Sequence, residues 1–218
     1  MTTLGLDTST ARGGVALRQG EESATELMMD APLRHAEELL PLIARLLDRC
    51  KVSRNQIELV SVNLGPGSFT GLRIGLATAK GVCQALQIPL VGVDGTLVYR
   101  SRLDVKRRAC VLLENRRDLC YARWFAGMNP LGAVEALSGA AVLKRIAGER
   151  KELWVVGNAV DPLREKLGGS PWVKFAPAEL NVPSPLGVAR LGEEGCKDDR
   201  LYGLEPIYAA PVLIRAKF

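Results

Sequence analysis

The spacing of hydrophobic and polar residues in the first hundred positions predicts a mixed α/β unit. Short apolar runs interrupted by small and polar turn residues are typical of strands, and apolar residues spaced three to four apart are typical of helices. The predicted order is βββαβαβ, with strands at 3–7, 13–18 and within 21–29, a helix at 34–50, a strand at 57–63, a helix at 70–86 and a strand at 90–93.

The second half of the chain repeats part of this order. Two strands at 109–113 and 119–125 are predicted to form a hairpin around the turn 114–118. After them come a helix at 135–148, a strand at 153–157, a short strand at 172–175 and a weak helix at 185–195. We therefore predict two related domains, 1–100 and 101–218, joined through a linker at 95–105. The second is the smaller, and its C-terminal segment is expected to pack back on the first.

The helix at 70–86 has hydrophobic or small residues around most of its circumference. Its polar side chains occupy one narrow strip, at Arg73, Lys80, Gln84 and Gln87. One apolar face carries the large residues, and beside it lies a ridge of small or slim residues that begins with Gly71 and Gly75. Ile74, Ala77, Gly81 and Ala85 lie further round. A helix with so little polar surface must be covered on nearly all sides.

The helix at 34–50 makes the same demand, because its six large apolar residues span an arc of about 160°, against roughly 100° for an ordinary surface helix. As an alternative, the two helices could cover each other's apolar surface. That alternative does not explain the ridge of small residues that begins with Gly71 and Gly75. We therefore predict that both helices bind another chain. The predicted interface residues are Leu39, Leu42, Ile43, Leu46, Gly71, Leu72, Gly75, Leu76, Thr78 and Ala79.

The turn before the second long helix is rich in glycine. Gly65-Pro66-Gly67 ends the strand at 57–63, and Ser68 or Thr70 is a candidate N-cap. Free amides at a helix N-terminus can bind an anion. The segment matches neither the dinucleotide-binding glycine motif nor a phosphate-binding loop with its lysine, so its chemistry alone favours a structural turn.

Composition and charge describe an ordinary globular chain of 218 residues with a net charge of +5. Basic residues occur in short groups such as Lys106–Arg108 and Arg116-Arg117, which we interpret as solvated loop ends. The five cysteines are dispersed, which favours reduced thiols over disulfides or a zinc site. No export signal and no membrane-spanning run is apparent, so we expect a cytoplasmic protein that does not enter the membrane.

Several motifs together resemble the TsaB (YeaZ) family. They are Leu6-Asp7-Thr8-Ser9-Thr10, His35-Ala36-Glu37 before Leu39-Leu40-Pro41-Leu42, the long run from Gly65 to Gly75, Ile88–Val93 and, more weakly, Glu205-Pro206-Ile207-Tyr208. The resemblance covers the first half throughout and the second half in outline. It implies an actin-like, sugar-kinase-like (RNase H-like) α/β fold of two related βββαβα domains, the second degenerate.

The resemblance also implies a role. It is that of a non-catalytic scaffold in the tRNA N6-threonylcarbamoyladenosine transferase complex, with TsaD as catalytic subunit and TsaE as ATPase. The chain alone is expected to form a homodimer and to hold no cofactor or metal. ATP or ADP would bind only in the assembled complex, and contact with tRNA would be indirect or weak. By the same resemblance, Asp7, Thr8, Ser9 and Thr10 would be a vestigial phosphate site.

Three departures from the family pattern concern the contacts of this subunit. Ala36 stands where a serine is usual, Glu114-Asn115 replaces Asp-Ala in the second hairpin turn, and Ala209-Ala210 replaces Leu-Arg near the C-terminus. Because Glu114 is a poor copy of the first-turn aspartate, autonomous ATP hydrolysis is not expected.

Other functions of the same superfamily remain as alternatives. A metal-dependent, glycoprotease-like hydrolase needs several ligands, often two histidines four residues apart, but His35 is the only histidine and Leu39 stands four residues on. We expect His35 to be an exposed or capping residue. A small-molecule kinase would need a working phosphate site in both halves. An RNA-binding module would need stacking aromatic residues, which are few.

Overall fold

A five-stranded sheet with two long helices forms the first half of the protein. The computed structural model describes residues 1–30, 34–103, 106–115, 119–167, 170–195 and 203–209; Arg116, Arg117, Cys196 and Ala210, on which some predictions rest, lie outside them. The elements are β1 (Thr2–Asp7), β2 (Gly14–Gln19), β3 (Ser23–Met28), α1 (His35–Cys50), β4 (Leu59–Asn63), α2 (Phe69–Leu86) and β5 (Leu90–Val93). The strand order is β3-β2-β1-β4-β5, with β1, β4 and β5 parallel.

The second sheet repeats the first in order and direction. Its elements are β6 (Arg108–Glu114), β7 (Leu119–Ala126), β8 (Asn129–Pro130), β9 (Glu135–Ser138), α4 (Gly139–Ala147), β10 (Leu153–Val156), α5 (Asp161–Leu167) and β11 (Val173–Phe175). β9 pairs with β7, β7 with β6, β6 with β10 and β10 with β11, and the last two pairs are parallel. The prediction of two related α/β halves is therefore confirmed.

Three local features from residue 95 onward differ from the sequence prediction. The expected linker contains helix α3 (Gly95–Ser101), which the Asp94 side chain caps by accepting a hydrogen bond from the Thr96 amide at 2.8 Å. The helix expected at 135–148 begins only at Gly139, because 135–138 pairs with β7 and Ser138 caps the helix. Helix α5 was not predicted, since its seven residues leave almost no helical periodicity to detect.

The first sheet is covered on both faces. Leu4, Leu6, Val60 and Val62 point into a core shared with α1 and α2. On the opposite face, helix α6 (Pro185–Glu194) lies close enough that a side chain at Gly192 would overlap Ser61. Thus α6, from the C-terminal part of the chain, packs on the first sheet, while the domain boundary at residue 100 stays a prediction. None of the described helices is long and apolar enough to cross a bilayer.

Candidate functional site

The turn after β1 is held by a buried carboxylate. Asp7 is fully buried, and one of its oxygens accepts hydrogen bonds from the Ser9 amide at 3.0 Å and the Ser9 hydroxyl at 2.6 Å. The other accepts from the side-chain amide of Asn63 at 3.0 Å. Asn63, at the end of β4, in turn accepts from the Gly65 amide at 2.8 Å. This network fastens the first turn to the glycine-rich turn before α2.

Helix α2 packs directly on the same turn. The Thr8 hydroxyl donates to the Gly71 carbonyl at 2.7 Å, and the Ser68 amide donates to the Ser9 carbonyl at 2.7 Å. A Cβ atom at Gly71 or at Gly75 would overlap Thr8, and Ser68 is the N-cap of the helix. The glycines of α2 therefore allow close approach to a turn of the same chain.

This packing corrects the predicted interface. Nine of its ten residues are buried within the chain itself, and only Thr78 is partly exposed. In α1 they are Leu39, Leu42, Ile43 and Leu46, and in α2 they are Gly71, Leu72, Gly75, Leu76 and Ala79. The assignment of these nine to a partner surface is wrong, because the sheet, the first turn and the neighbouring helix already cover them.

The outward sides of the two helices form a different surface. Helix α1 lies over β2 and β3 and packs beside α2. Arg45 pairs with Asp30 beyond the end of β3 at 3.5 Å, and Leu40 and Leu47 lie on the side of α1 away from Arg45. Leu40 is 59% exposed. We call this surface the outer helix face. It comprises Leu40, Ala44 and Leu47 of α1, the exposed Ala77, Gly81 and Ala85 of α2, and the half-buried Ile74 and Thr78.

The end of β6 mirrors the end of β1. The Glu114 amide donates to the Asn158 side-chain oxygen at 2.9 Å, and the Asn158 side-chain amide donates to the Glu114 carboxylate at 3.2 Å. Glu114 ends β6 as Asp7 ends β1, and Asn158 follows β10 much as Asn63 ends β4. Glu114 is thus a closer counterpart of Asp7 than the sequence suggested. The signal that was missed is an asparagine at or just after the end of the strand that pairs in parallel with the first strand of each half, Asn63 at the end of β4 and Asn158 after β10.

A cleft of about 410 Å³ lies between the ends of β1 and β6. Hydroxyl and amide groups from both halves line it, including Ser9, Thr10, Ser68, Asn115 and Asn158. None of its described lining residues is a lysine or an arginine, and Asp7 and Thr8 lie buried beneath the turn. The described lining can therefore form hydrogen bonds to a ligand but offers no positively charged side chain to a phosphate group. The vestigial phosphate site at Asp7, Thr8, Ser9 and Thr10 stays a prediction.

Tyr99 of α3 also lines this cleft and was not singled out from the sequence. It is 1% exposed, and its hydroxyl has no hydrogen-bond partner among the described residues. Burial raises the pKa of the Tyr99 phenol, and the nearby Asp7 charge raises it further. The phenol is therefore neutral and cannot serve as a base at physiological pH.

The segment 203–209 crosses the start of α2 at the rim of the cleft. The Ile207 amide donates to the Leu64 carbonyl at 2.7 Å, and Lys80 donates to the Leu204 carbonyl at 2.9 Å. The Arg73 guanidinium stacks 3.8 Å above the Phe69 ring and donates to the Tyr208 hydroxyl at 3.0 Å. These contacts explain why the weak motif Glu205–Tyr208 accompanies the glycine-rich one.

The only histidine does not behave as predicted. His35 is 3% exposed rather than exposed or capping, because its ring packs against Gly13. Among the described residues, no three His, Cys, Asp or Glu side chains come together as a metal site. The described cysteines are free thiols, and burial raises the pKa of Cys110 and Cys120. The described residues thus form no cluster suited to a metal ion, and the thiols of Cys110 and Cys120 are protonated at neutral pH.

Comparison of sequences connects the chain to proteins of tRNA modification. A family model described as TsaD, tRNA N6-adenosine threonylcarbamoyltransferase, matches residues 29–136. The tRNA threonylcarbamoyladenosine biosynthesis protein TsaB of Buchnera aphidicola is 24% identical over 73% of this chain and 76% of that protein. TsaB of Bacillus subtilis is 33% identical over 47% of this chain, and the match spans less than half, 45%, of that protein.

Comparison of structures shows the fold. YeaZ from Pseudomonas aeruginosa superposes with a TM-score of 0.75 at 24% identity, covering 95% of this chain and 99% of that one. The activator of 2-hydroxyisocaproyl-CoA dehydratase from Clostridium difficile, solved with bound ADPNP, gives a TM-score of 0.57 at 10% identity, over 96% of this chain and 100% of that one. The predicted actin-like, sugar-kinase-like fold is confirmed.

Proposed function

Since the chain belongs to the TsaB (YeaZ) family, we propose that it serves tRNA N6-threonylcarbamoyladenosine biosynthesis as a non-catalytic subunit that binds and supports TsaD. The observation that carries this proposal is the outer helix face. Ala77, Gly81 and Ala85 follow each other at four-residue spacing on the exposed side of α2, beside the exposed Leu40 of α1. Such a surface lets another helix approach closely, and an exposed apolar patch of this kind is typical of a protein–protein contact.

The identity of the partner is supported by the extent of the family match. Residues 29–136, which match the TsaD model, include all of α1 and α2. A TsaD subunit should therefore present equivalent helices of its own, and the two pairs would meet around a pseudo-twofold axis. In the absence of TsaD the same face would pair with a second copy of this chain, because a twofold contact needs only a self-complementary surface. TsaE and its ATP or ADP would join the assembled complex.

The non-catalytic role is supported by the chemistry of the cleft. Both carboxylate oxygens of Asp7 are engaged by Ser9 and Asn63, so binding a metal ion there would break existing hydrogen bonds. His35 is enclosed against Gly13 and presents no ring nitrogen to a substrate. A subunit built in this way contributes surface and stability to a complex, while TsaD performs the transfer.

Reconstitution of the reaction tests the proposal. TsaD, TsaE, the threonylcarbamoyl donor and unmodified tRNA from the same organism are combined with and without this chain, and modified adenosine is measured by mass spectrometry. We expect product only when the chain is present. The Leu40→Asp variant should fail to support formation of modified adenosine. The Leu131→Asp variant should support it normally, although Leu131 in the second half is exposed to a similar extent (53%, against 59% for Leu40). Equal rates with and without the chain would refute the proposal.

A further inference from the structure

The parallel strands of the second sheet, β6, β10 and β11, start side by side at the end of the sheet farthest from the cleft. We call this end the basic edge. Arg108 of β6 pairs with Leu153 of β10, and Leu153 pairs with Val173 of β11. The residues that precede these three starts therefore lie side by side, although they are distant in sequence. They are Lys106 and Arg107 before β6, Arg150, Lys151 and Glu152 before β10, and Pro171 and Trp172 before β11.

This edge carries more positive charge than its acidic residues neutralise. Arg107 forms an ion pair with Glu152, and Arg108 pairs with Glu149 at 2.8 Å. The pKa of Glu152 is lowered chiefly by the hydrogen bond from Arg107. Lys174 pairs in register with Trp154, whose indole nitrogen donates to Glu152 at 3.1 Å, so this lysine lies on the strand beside that carboxylate. Lys106, Lys151 and Lys174 are exposed and take part in none of the ion pairs found in the described residues.

The fold itself does not require these lysines and arginines, because the first sheet has the same arrangement of parallel strands without basic residues just before their starts. There, β1, β4 and β5 start after Met1, Glu58 and Pro89, and no lysine or arginine stands in the three positions before β4 or β5. The Met1 ammonium group pairs with Glu58 at 3.8 Å. Residues 1–100 hold ten basic and ten acidic residues, so the net charge of +5 belongs to residues 101–218.

An aromatic side chain lies at the same edge. Trp172 immediately precedes β11 and is 43% exposed, so part of its indole ring is open to a ligand. Unpaired lysines attract phosphate groups, and an exposed ring can stack on an unpaired base. Unpaired lysines next to an exposed aromatic ring are suited to single-stranded or looped RNA, which offers both phosphates and unpaired bases. A protein partner would have to offer carboxylates to the lysines instead.

We propose that this basic edge, comprising Lys106, Arg107, Lys151, Trp172 and Lys174, contacts the phosphate backbone of tRNA. The inference rests on the proposed function, which makes tRNA the substrate of the complex. The basic edge belongs to the second sheet, whereas the outer helix face belongs to the first. Short basic groups that looked like solvated loop ends in the sequence therefore form one surface in the fold.

The test is the affinity of the full-length chain for unmodified tRNA, measured by fluorescence anisotropy at several salt concentrations. Each lost phosphate contact lowers the slope of log affinity against log salt by roughly 0.7–0.9. The triple variant Lys106→Ala, Lys151→Ala, Lys174→Ala should therefore bind more weakly, with a slope reduced by about two to three. Trp172→Ala should weaken binding without changing the slope, because base stacking releases no ions.

The matched control is Arg12→Ala, Arg49→Ala, Arg54→Ala, which removes the same charge from exposed positions of the first half. We expect its slope to equal that of the unchanged chain. Equal loss in both triple variants, no change in the first, or binding to anionic phospholipid vesicles in place of tRNA would overturn the proposal. Association with TsaD, measured in parallel, should be unaffected in both variants. Failure of that association in the unchanged chain would instead refute the proposed function.

Discussion

The variant Gly81→Leu is expected to lose its affinity for TsaD while remaining folded. Gly81 lies on the exposed side of α2, and a Cβ atom there would meet no other atom within 4 Å. Leucine is also a better helix former than glycine, which is about 0.8–1.0 kcal/mol less favourable than alanine in a helix, so the melting temperature should be unchanged or higher. In a contact between helices of small residues, however, an added isobutyl group pushes the two backbones apart.

The expected loss is large because the substitution falls at the centre of the outer helix face. We expect a Kd at least about 100-fold weaker, or roughly 2.7 kcal/mol, by isothermal titration of the variant with TsaD. Ala147→Leu, at an exposed position near the end of α4, is the control and should bind as the unchanged chain does. Tight binding by Gly81→Leu would remove α2 from the interface.

The variant Gly75→Leu is expected to lose stability while its folded fraction keeps its affinity for TsaD. Any side chain at Gly75 would overlap Thr8, which is fully buried and bonded to Gly71. Overpacking of this kind costs about 1–3 kcal/mol, which lowers the melting temperature of a chain of this size by several degrees. Because Gly75 faces the interior, the folded fraction should still bind TsaD.

Denaturant unfolding and titration of the same sample measure the two effects separately. Thr8→Ala makes room beside position 75, so the loss caused by Gly75→Ala should be smaller in the Thr8→Ala background. A Gly75→Leu variant as stable as the unchanged chain, yet unable to bind TsaD, would show that the glycine ridge faces a partner after all.

The contrast between these two glycines shows what sequence periodicity can and cannot establish. It located both long helices and predicted that α2 is covered on nearly all sides. It could not say what covers each side, since Thr8 lies 63 residues before Gly71 along the chain. The ridge of Gly71 and Gly75 therefore looked like an interface, whereas the exposed side, with Ala77 and Gly81, was left without a role.

The second half was predicted less well for a related reason. Its short elements depend on partners rather than on their own pattern: 135–138 is a strand because it pairs with β7. The hydrogen-bonded pair Glu114 and Asn158 mirrors Asp7 and Asn63, but its members are 44 residues apart. The correspondence between the two pairs becomes clear only when the strand orders of the two sheets are compared.

Photo-crosslinking from the outer helix face shows whether this face contacts TsaD. A benzophenone amino acid is placed at position 40 in one sample and at position 131 in another, because both leucines are exposed to a similar extent, 59% and 53%. Each sample is irradiated with TsaD, and covalent products are identified by mass spectrometry. We expect a cross-link to TsaD from position 40 and none from position 131. A cross-link from position 131 alone would contradict this expectation.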